Sequence, residues 1–156
     1  MNYLITFRSA TSQDRDKIIS MLREVDNSFY PPLSLRDIGI EERVDFVLKR
    51  ENSAYILCEF DETIVGIVGY DIHGEWAYIN LLAVRLQYRG MGIGRLLVQR
   101  AERELRQRGV KHVKVCTWST NEGAIRLYRS LGYDVEEVLV GHRGKGVDTH
   151  VFMKLL

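Results

Sequence analysis

Leu82-Ala-Val-Arg-Leu-Gln-Tyr-Arg-Gly-Met-Gly-Ile-Gly-Arg-Leu-Leu97 carries an apolar strand into three glycines at alternate positions, Gly90, Gly92 and Gly94, and then into an amphipathic helix. Glycine lets backbone N–H groups approach a ligand without interference from a Cβ. A helix start presents unpaired N–H groups and partial positive charge. Strand, glycine loop and helix start together make a phosphate or pyrophosphate site. Two common phosphate loops do not fit. The dinucleotide fingerprint G-x-G-x-x-G needs its third glycine one residue later, and no acidic ribose partner follows at a strand end. The Walker pattern needs Gly-Lys-Ser/Thr, whereas Gly94 is followed by Arg95 and Leu96. What remains is Gln87-x-x-Gly90-x-Gly92.

A second segment lies about 30 residues on, beyond a helix and a strand: Asn121-Glu-Gly-Ala-Ile-Arg-Leu-Tyr-Arg-Ser-Leu-Gly-Tyr133. The first segment resembles the acyl-CoA loop of the GCN5-related N-acetyltransferase (GNAT) family. The second resembles that family's later motif at Asn121, Ala124, Leu127, Tyr128, Gly132 and Tyr133. The resemblance covers nearly the whole chain. It implies acetyl-CoA as cosubstrate, with the amides from about Arg89 to Arg95 on its pyrophosphate. Gly90, Gly92, Ile93 and Gly94 belong to that loop, and Arg89 and Arg95 add charge. The backbone at Leu82 and Val84 is expected to pair with the pantetheine arm, as an edge strand pairs with a peptide. Asn121 is expected as a partner of that arm, and Tyr128 as the acid beside the sulfur.

Outward from these motifs, Leu4 to Phe7 reads as a strand. Thr11-x-x-Asp14 opens a helix to about Asp26, with Ile18, Ile19, Leu22 and Val25 on one face. Phe29, Tyr30, Pro31 and Pro32 interrupt it, and a second helix is expected over Leu35 to Lys49. Ala54 to Phe60, Thr63 to Ile72 and Trp76 to Val84 read as an antiparallel meander. The helix after the glycines shows Ile93, Leu96, Leu97, Ala101 and Leu105 on one face and ends at Gly109. His112 to Trp118 is expected parallel to Trp76–Val84, because a helix joins them. Ser119-x-x-Glu122 has the capping-box pattern of a helix to about Ser130. Tyr133 to Val140 and Val147 to Leu155 close the chain. The expected fold is one α/β (α+β) domain over residues 1–156, a mixed central sheet in the order β-α-α-β-β-β-α-β-α-β-β. Members of the resembled family splay the fourth and fifth strands to admit the pantetheine arm.

Acetyl transfer to an amine must place a thioester, deprotonate the amine and protonate the thiolate. A lysine-like amine with pKa about 10.4 is neutral in roughly one molecule in 2,500 at pH 7, a cost of roughly 4–5 kcal/mol. Many family members hold a glutamate in the strand before the glycine loop. Here that strand offers Tyr78, Asn80 and Leu81, so Glu75, Asp71 and His73 are the candidate bases, with Glu75 first. The missing carboxylate favours an α-amine or another acceptor of low pKa. Tyr128 matches the family acid, and a thiol of pKa about 8.5 lies only ~2 kcal/mol below a tyrosine of about 10. The resemblance places the acceptor between the loop of Phe29 and Tyr30 and the loop of His142, Arg143, Lys145 and Asp148. The positive charge of the latter argues against a polycationic acceptor. The alternative to an N-acetyltransferase is a non-catalytic acyl-CoA-binding module of the same fold.

Composition narrows the partners. The chain has 156 residues, a net charge of +1, 46% hydrophobic and 28% charged residues, the make-up of one soluble domain. Arg95, Arg100, Arg103, Arg106 and Arg108 crowd one helix, but Glu102 and Glu104 interleave, so no nucleic-acid partner is expected. No signal-peptide pattern, membrane-length apolar run or CxxC pair occurs, and Cys58 and Cys116 read as small buried residues. A cytoplasmic protein without metal is expected. Its partners would be acetyl-CoA and an amine, and a homodimer is allowed.

Overall fold

The computed structural model describes residues 4–156. Its elements run β1 (Ile5–Ser9), α1 (Arg15–Glu24), α2 (Ile40–Lys49), β2 (Ser53–Phe60), β3 (Thr63–His73), β4 (Trp76–Val84), α3 (Ile93–Gln107), β5 (His112–Trp118), α4 (Glu122–Ser130), β6 (Asp134–Leu139) and β7 (Thr149–Leu155). This is the expected order. One seven-stranded sheet forms in the order β1-β2-β3-β4-β5-β7-β6. All neighbours are antiparallel except β4 and β5, which are parallel.

Helices cover both faces. On one, α3 buries Ile93, Leu97, Val98, Ala101 and Leu105 against Val65, Val68, Ala77, Ile79 and Val113. Each such leucine contributes roughly 1.5–3 kcal/mol relative to exposure. On the other, Ile18, Met21 and Leu22 of α1 and Val44 and Val47 of α2 pack on Tyr55, Leu57, Ile67, Leu81 and Ala83. Leu96, expected on the buried face of α3, is 47% exposed. It lies about 100° round the axis from Leu97 and so turns toward solvent, while Val98 takes a core position. Glu102 is buried in α3, where Lys154 Nζ lies 3.0 Å from its carboxylate and the Tyr133 hydroxyl donates to it over 2.8 Å.

Several boundaries shift. The Thr11–Asp14 capping box is present, but it closes a 3-10 turn ahead of α1. The second helix starts at Ile40 rather than Leu35. Asp26 draws the Ser34 N–H and hydroxyl into a loop, Arg36 is extended, and Gly39 caps the helix. The Ser119–Glu122 capping box does not form. Asn121 caps α4 by accepting from the Ala124 N–H, and the Ser119 hydroxyl instead accepts from the Asp148 N–H. Cys58 is buried, whereas Cys116 is only partly so.

Two irregularities in β4 shape the interior. Its ladder with β3 carries a bulge where Gly69–Tyr70 face Leu81 and Ile79, leaving Asn80 as the extra residue. The bulge reverses the facing of the strand. Ala77 and Ile79 belong to the core under α3, whereas Leu81 and Ala83 belong to the core under α1 and α2. Gly69 admits the bulge, since a Cβ there would lie 2.3 Å from Asn80 Oδ1. The ladder with β5 is short: Trp76, Ala77, Tyr78 and Ile79 pair with His112, Val113, Lys114 and Val115, and there pairing stops. Beyond it β4 runs to Val84 and β5 to Trp118 with no further ladder pair between them among the described residues.

Candidate active site

The gap between β4 and β5 opens into two adjoining cavities. The outer one, about 420 Å³, runs past Leu82, Ala83 and Val84 to Arg89, Gly90, Gly92, Ile93 and Gly94, with Asn121, Gly123, Ala124 and Leu127 of the α4 region opposite. The inner one, about 100 Å³, is lined by Tyr78, Asn80, Cys116, Thr117, Tyr128, Arg36 and Arg143, among others. Phe29, Leu82, Trp118, Asn121 and Ala124 border both. A ligand lying along β4 would therefore pass from the glycine loop to Tyr128.

At the outer end, Gly92 caps α3 in the left-handed region at φ 83°, and Gly90 has φ 77°. A Cβ on either would meet nothing within 4 Å, so both point into open space. Among the described residues, none of the backbone N–H groups from Gly90 through Arg95 finds a partner, and helical pairing begins with Leu96 donating to the Gly92 carbonyl. Such a run of free donors at a helix start suits a doubly charged phosphate ester. Arg89 borders this groove, donating to the Val84 carbonyl and to the Ser28 hydroxyl at 2.9 Å each. Arg95 does not border it, since its guanidinium donates to the Ser130 hydroxyl at 2.5 Å.

At the inner end, Tyr128 is buried against Tyr133 and Phe152. Burial pushes its phenol well above the ordinary value, and Tyr78 and Cys116 nearby add to the rise. The Tyr78 hydroxyl and the Cys116 thiol line the same inner cavity, and burial raises both. Asn121 is engaged by its own fold: its amide donates to Thr117 Oγ1 at 2.9 Å while its oxygen caps α4. One N–H of that amide remains for a ligand.

The candidate bases part company here. Glu75 sits in the turn before β4, ion-paired with Lys111 at 3.2 Å and exposed. At ~3.3 Å per residue it lies about 16 Å along the strand from Asn80, so the structure does not bring it to either cavity. His73 stacks on Trp76 in the same exposed turn region. Asp71 reaches the site indirectly: it accepts from Asn80 Nδ2 at 2.9 Å and from the Ser53 hydroxyl at 2.5 Å. Phe29 borders both cavities, but Tyr30 borders neither. The Tyr30 carbonyl accepts from Arg143 and ties the two acceptor-side loops together. Arg36, Cys116 and Trp118 are site residues that carry no local sequence signal, and Tyr78 stands out only as a position of the missing glutamate. They come from separate elements, and only the tertiary fold gathers them.

Among the described residues no group of His, Cys, Asp and Glu could hold a metal ion, and no helix is long and apolar enough to cross a membrane.

Residues 17–133 match the family model of the acetyltransferase (GNAT) family. An uncharacterized N-acetyltransferase of Methanocaldococcus jannaschii is 27% identical over 143 residues, 87% of this chain, and the chain spans 63% of that relative. Two solved structures share the fold. The ribosomal-protein-S18-alanine N-acetyltransferase of Escherichia coli has a TM-score of 0.80 at 18% identity, covering 97% of this chain and 94% of that one. An aminoglycoside 6'-N-acetyltransferase complexed with coenzyme A has a TM-score of 0.82 at 17% identity, covering 96% of each chain.

Proposed function

The chain belongs to the GNAT acetyltransferase family, and we propose that it transfers an acetyl group from acetyl-CoA to a primary amine by direct attack of the amine on the thioester. The observation that carries this is the common wall of the two cavities, which joins the free amides of the glycine loop to Tyr128. A structural neighbour that holds coenzyme A supports the same donor.

In this reading the amides from Gly90 to Arg95 hold the pyrophosphate, and Arg89 adds positive charge nearby. The edge of β4 beyond Ile79, freed from β5, pairs with the pantetheine arm through Leu82 and Val84. That would put the thioester at the mouth of the inner cavity. Orientation of this kind can supply several kcal/mol of the barrier.

Tyr128 faces the departing sulfur. Its raised pKa keeps the phenol protonated, so it donates a hydrogen bond to the growing thiolate. Full proton transfer is more uphill than the ~2 kcal/mol between an ordinary tyrosine and an ordinary thiol. The proton therefore passes late, as the C–S bond breaks, and the proton that the attacking nitrogen sheds restores the phenol.

For the amine, no carboxylate among the described residues borders the inner cavity, but two guanidinium groups do. Cations near an ammonium disfavour its charged form. The site thus selects the neutral amine, which replaces part of what a base would do.

The names of the two solved neighbours give an alanine of ribosomal protein S18 and an aminoglycoside as their acceptors. A shared fold does not choose between such classes, so the choice must come from this chain's own cavity. The test is free-thiol release from acetyl-CoA across a panel of amines, with the acetylated product identified by mass. Thiol release with an acetylated amine supports transfer. Binding of acetyl-CoA without either product, across the whole panel, would instead favour a non-catalytic binding module.

A further inference from the structure

Arg36 and Arg143 come from loops more than 100 residues apart and converge on the inner cavity. Arg36 stacks 5.7 Å from the centre of the Phe29 ring, and Arg143 stacks 5.8 Å from the centre of the Trp118 ring. The two rings are themselves in contact, with centroids 6.2 Å apart. Each guanidinium is fixed by carbonyl or hydroxyl acceptors: Arg36 by the Pro31 carbonyl at 3.1 Å, Arg143 by Thr149 Oγ1 at 2.9 Å and the Tyr30 carbonyl at 3.0 Å.

Neither arginine has a carboxylate partner among the described residues, although ten other ion pairs form in the chain. The charged groups around them do not compensate. Arg43 adds a third cation on the α2 side, and its Nε is buried with no hydrogen-bond partner among the described residues. Asp26 is the carboxylate that acts on Arg36, more weakly than the cations do, and it accepts hydrogen bonds from Ser34. Burial and the neighbouring Arg143 push Arg36 down to about 10. Two half-buried cations side by side are unfavourable unless something negative joins them. A guanidinium leaves several donors free in a planar fork, which matches a carboxylate.

We infer that the acceptor amine carries a carboxylate of its own, which Arg36 and Arg143 hold while the amine faces the thioester near Tyr128 and Tyr78. This rests on the reading of the inner cavity as the acceptor end of an acetyltransferase. It commits to a small amino-carboxylate rather than a polyamine or an uncharged amine, since only about 100 Å³ is available.

The experiment compares matched acceptors with the intact protein and saturating acetyl-CoA: glycine and glycinamide, β-alanine and its amide, leucine and leucinamide, with aminoethylphosphonate and spermidine beside them. kcat/KM is expressed per neutral amine, so that differences in amine pKa drop out. At least one acid should exceed its amide by roughly 100-fold, the scale of a desolvated charge pair. In Arg143→Met and Arg36→Met that ratio should collapse to below about 3, and Arg143→Lys should restore part of it, which a merely structural loss would not do. Amides acetylated as well as acids, spermidine as the best acceptor, or loss of acid and amide activity in equal proportion in the methionine variants would each overturn the carboxylate site. A preference for the phosphonate would replace the carboxylate by a phosphate-like group and so overturn it too. If acetyl-CoA binds but no amine is acetylated, the transfer reading fails separately. The carboxylate site then stands or falls on calorimetric binding of the same acids to the protein–CoA complex, present in the wild type and lost in Arg36→Met if it is right.

Discussion

Ile79 and Val115 form the last rung between β4 and β5. Past that pair, the bulge at Asn80 turns β4 over, and the freed strand edge becomes one wall of the groove. The outer groove, the inner cavity and the path between them all depend on where this ladder ends.

The glycine loop gives the first prediction. Gly92 sits at φ 83° with open space where a Cβ would go. Gly92→Val should not clash with the protein, but it places a side chain where a phosphate would lie and strains the backbone by about 1–3 kcal/mol. Gly92→Asn tolerates the left-handed conformation better, which separates blocking from strain. Calorimetry should show acetyl-CoA affinity lost in the valine variant and reduced at least about tenfold in the asparagine variant, with the circular dichroism of both folded. Unchanged affinity in both would remove the loop from the donor site.

Removing the Tyr128 hydroxyl tests the acid. Tyr128→Phe keeps the packing on Tyr133 and Phe152. Turnover should fall at least about tenfold, within the range of general acids, while acetyl-CoA affinity changes little. Equal turnover would show that the thiolate leaves without help from Tyr128.

The pH dependence tests the absent base. If the enzyme selects the neutral amine, kcat/KM should rise about tenfold per pH unit up to the acceptor's own pKa. Glu75→Gln and His73→Gln should leave both slope and rate in place, since neither side chain reaches a cavity. Asp71→Asn should lower the rate across the whole profile by loosening Asn80, without changing the slope. A limb near pH 6–7 that disappears in one of these variants would name a base and contradict the neutral-amine account.

Acid stability is set in part far from the site. Arg8 donates to both oxygens of Asp14, at 2.7 and 2.8 Å, and holds its carboxyl at about 2, below the ordinary 3.8. A lowered carboxylate pKa adds stability that is present above the unfolded value and lost as pH falls through the folded one. With the Arg8 side chain 43% exposed, the contribution is about 1–2 kcal/mol after solvent screening. Asp14→Asn should therefore destabilise by that amount at neutral pH, and its deficit relative to wild type should shrink between about pH 4 and 2. Urea melts at pH 7 and pH 2.5 would measure both, and a deficit constant across that range would contradict the assignment.

Gly90, Gly92, Asn121 and Tyr128 were legible because each lies in a local pattern, a glycine spacing or a helix-start motif. The element order was legible for the same reason, with turn residues and hydrophobic periods marking each piece. The bulge at Asn80 was not, because it depends on Gly69 across the ladder rather than on any residue beside it. Nor was the pairing of Arg36 with Arg143: one follows a proline turn, the other sits between two loop glycines, and only the tilted contact of the Phe29 and Trp118 rings brings them together. Glu75 shows the converse. Its place before β4 suggested a base, but the strand carries it away from the cavities and toward Lys111.

The most direct test of acetyl transfer is a single-turnover quench. Wild-type protein loaded with labelled acetyl-CoA is mixed with an accepted amine and stopped in acid at intervals. The label on amine, on protein and on remaining donor is then counted together with free thiol. Direct attack predicts thiol and acetylated amine appearing in equal amounts at the same rate, with no label on the protein at any time, Cys116 included. Label passing through Cys116, or donor consumed with no acetylated amine formed, would contradict it.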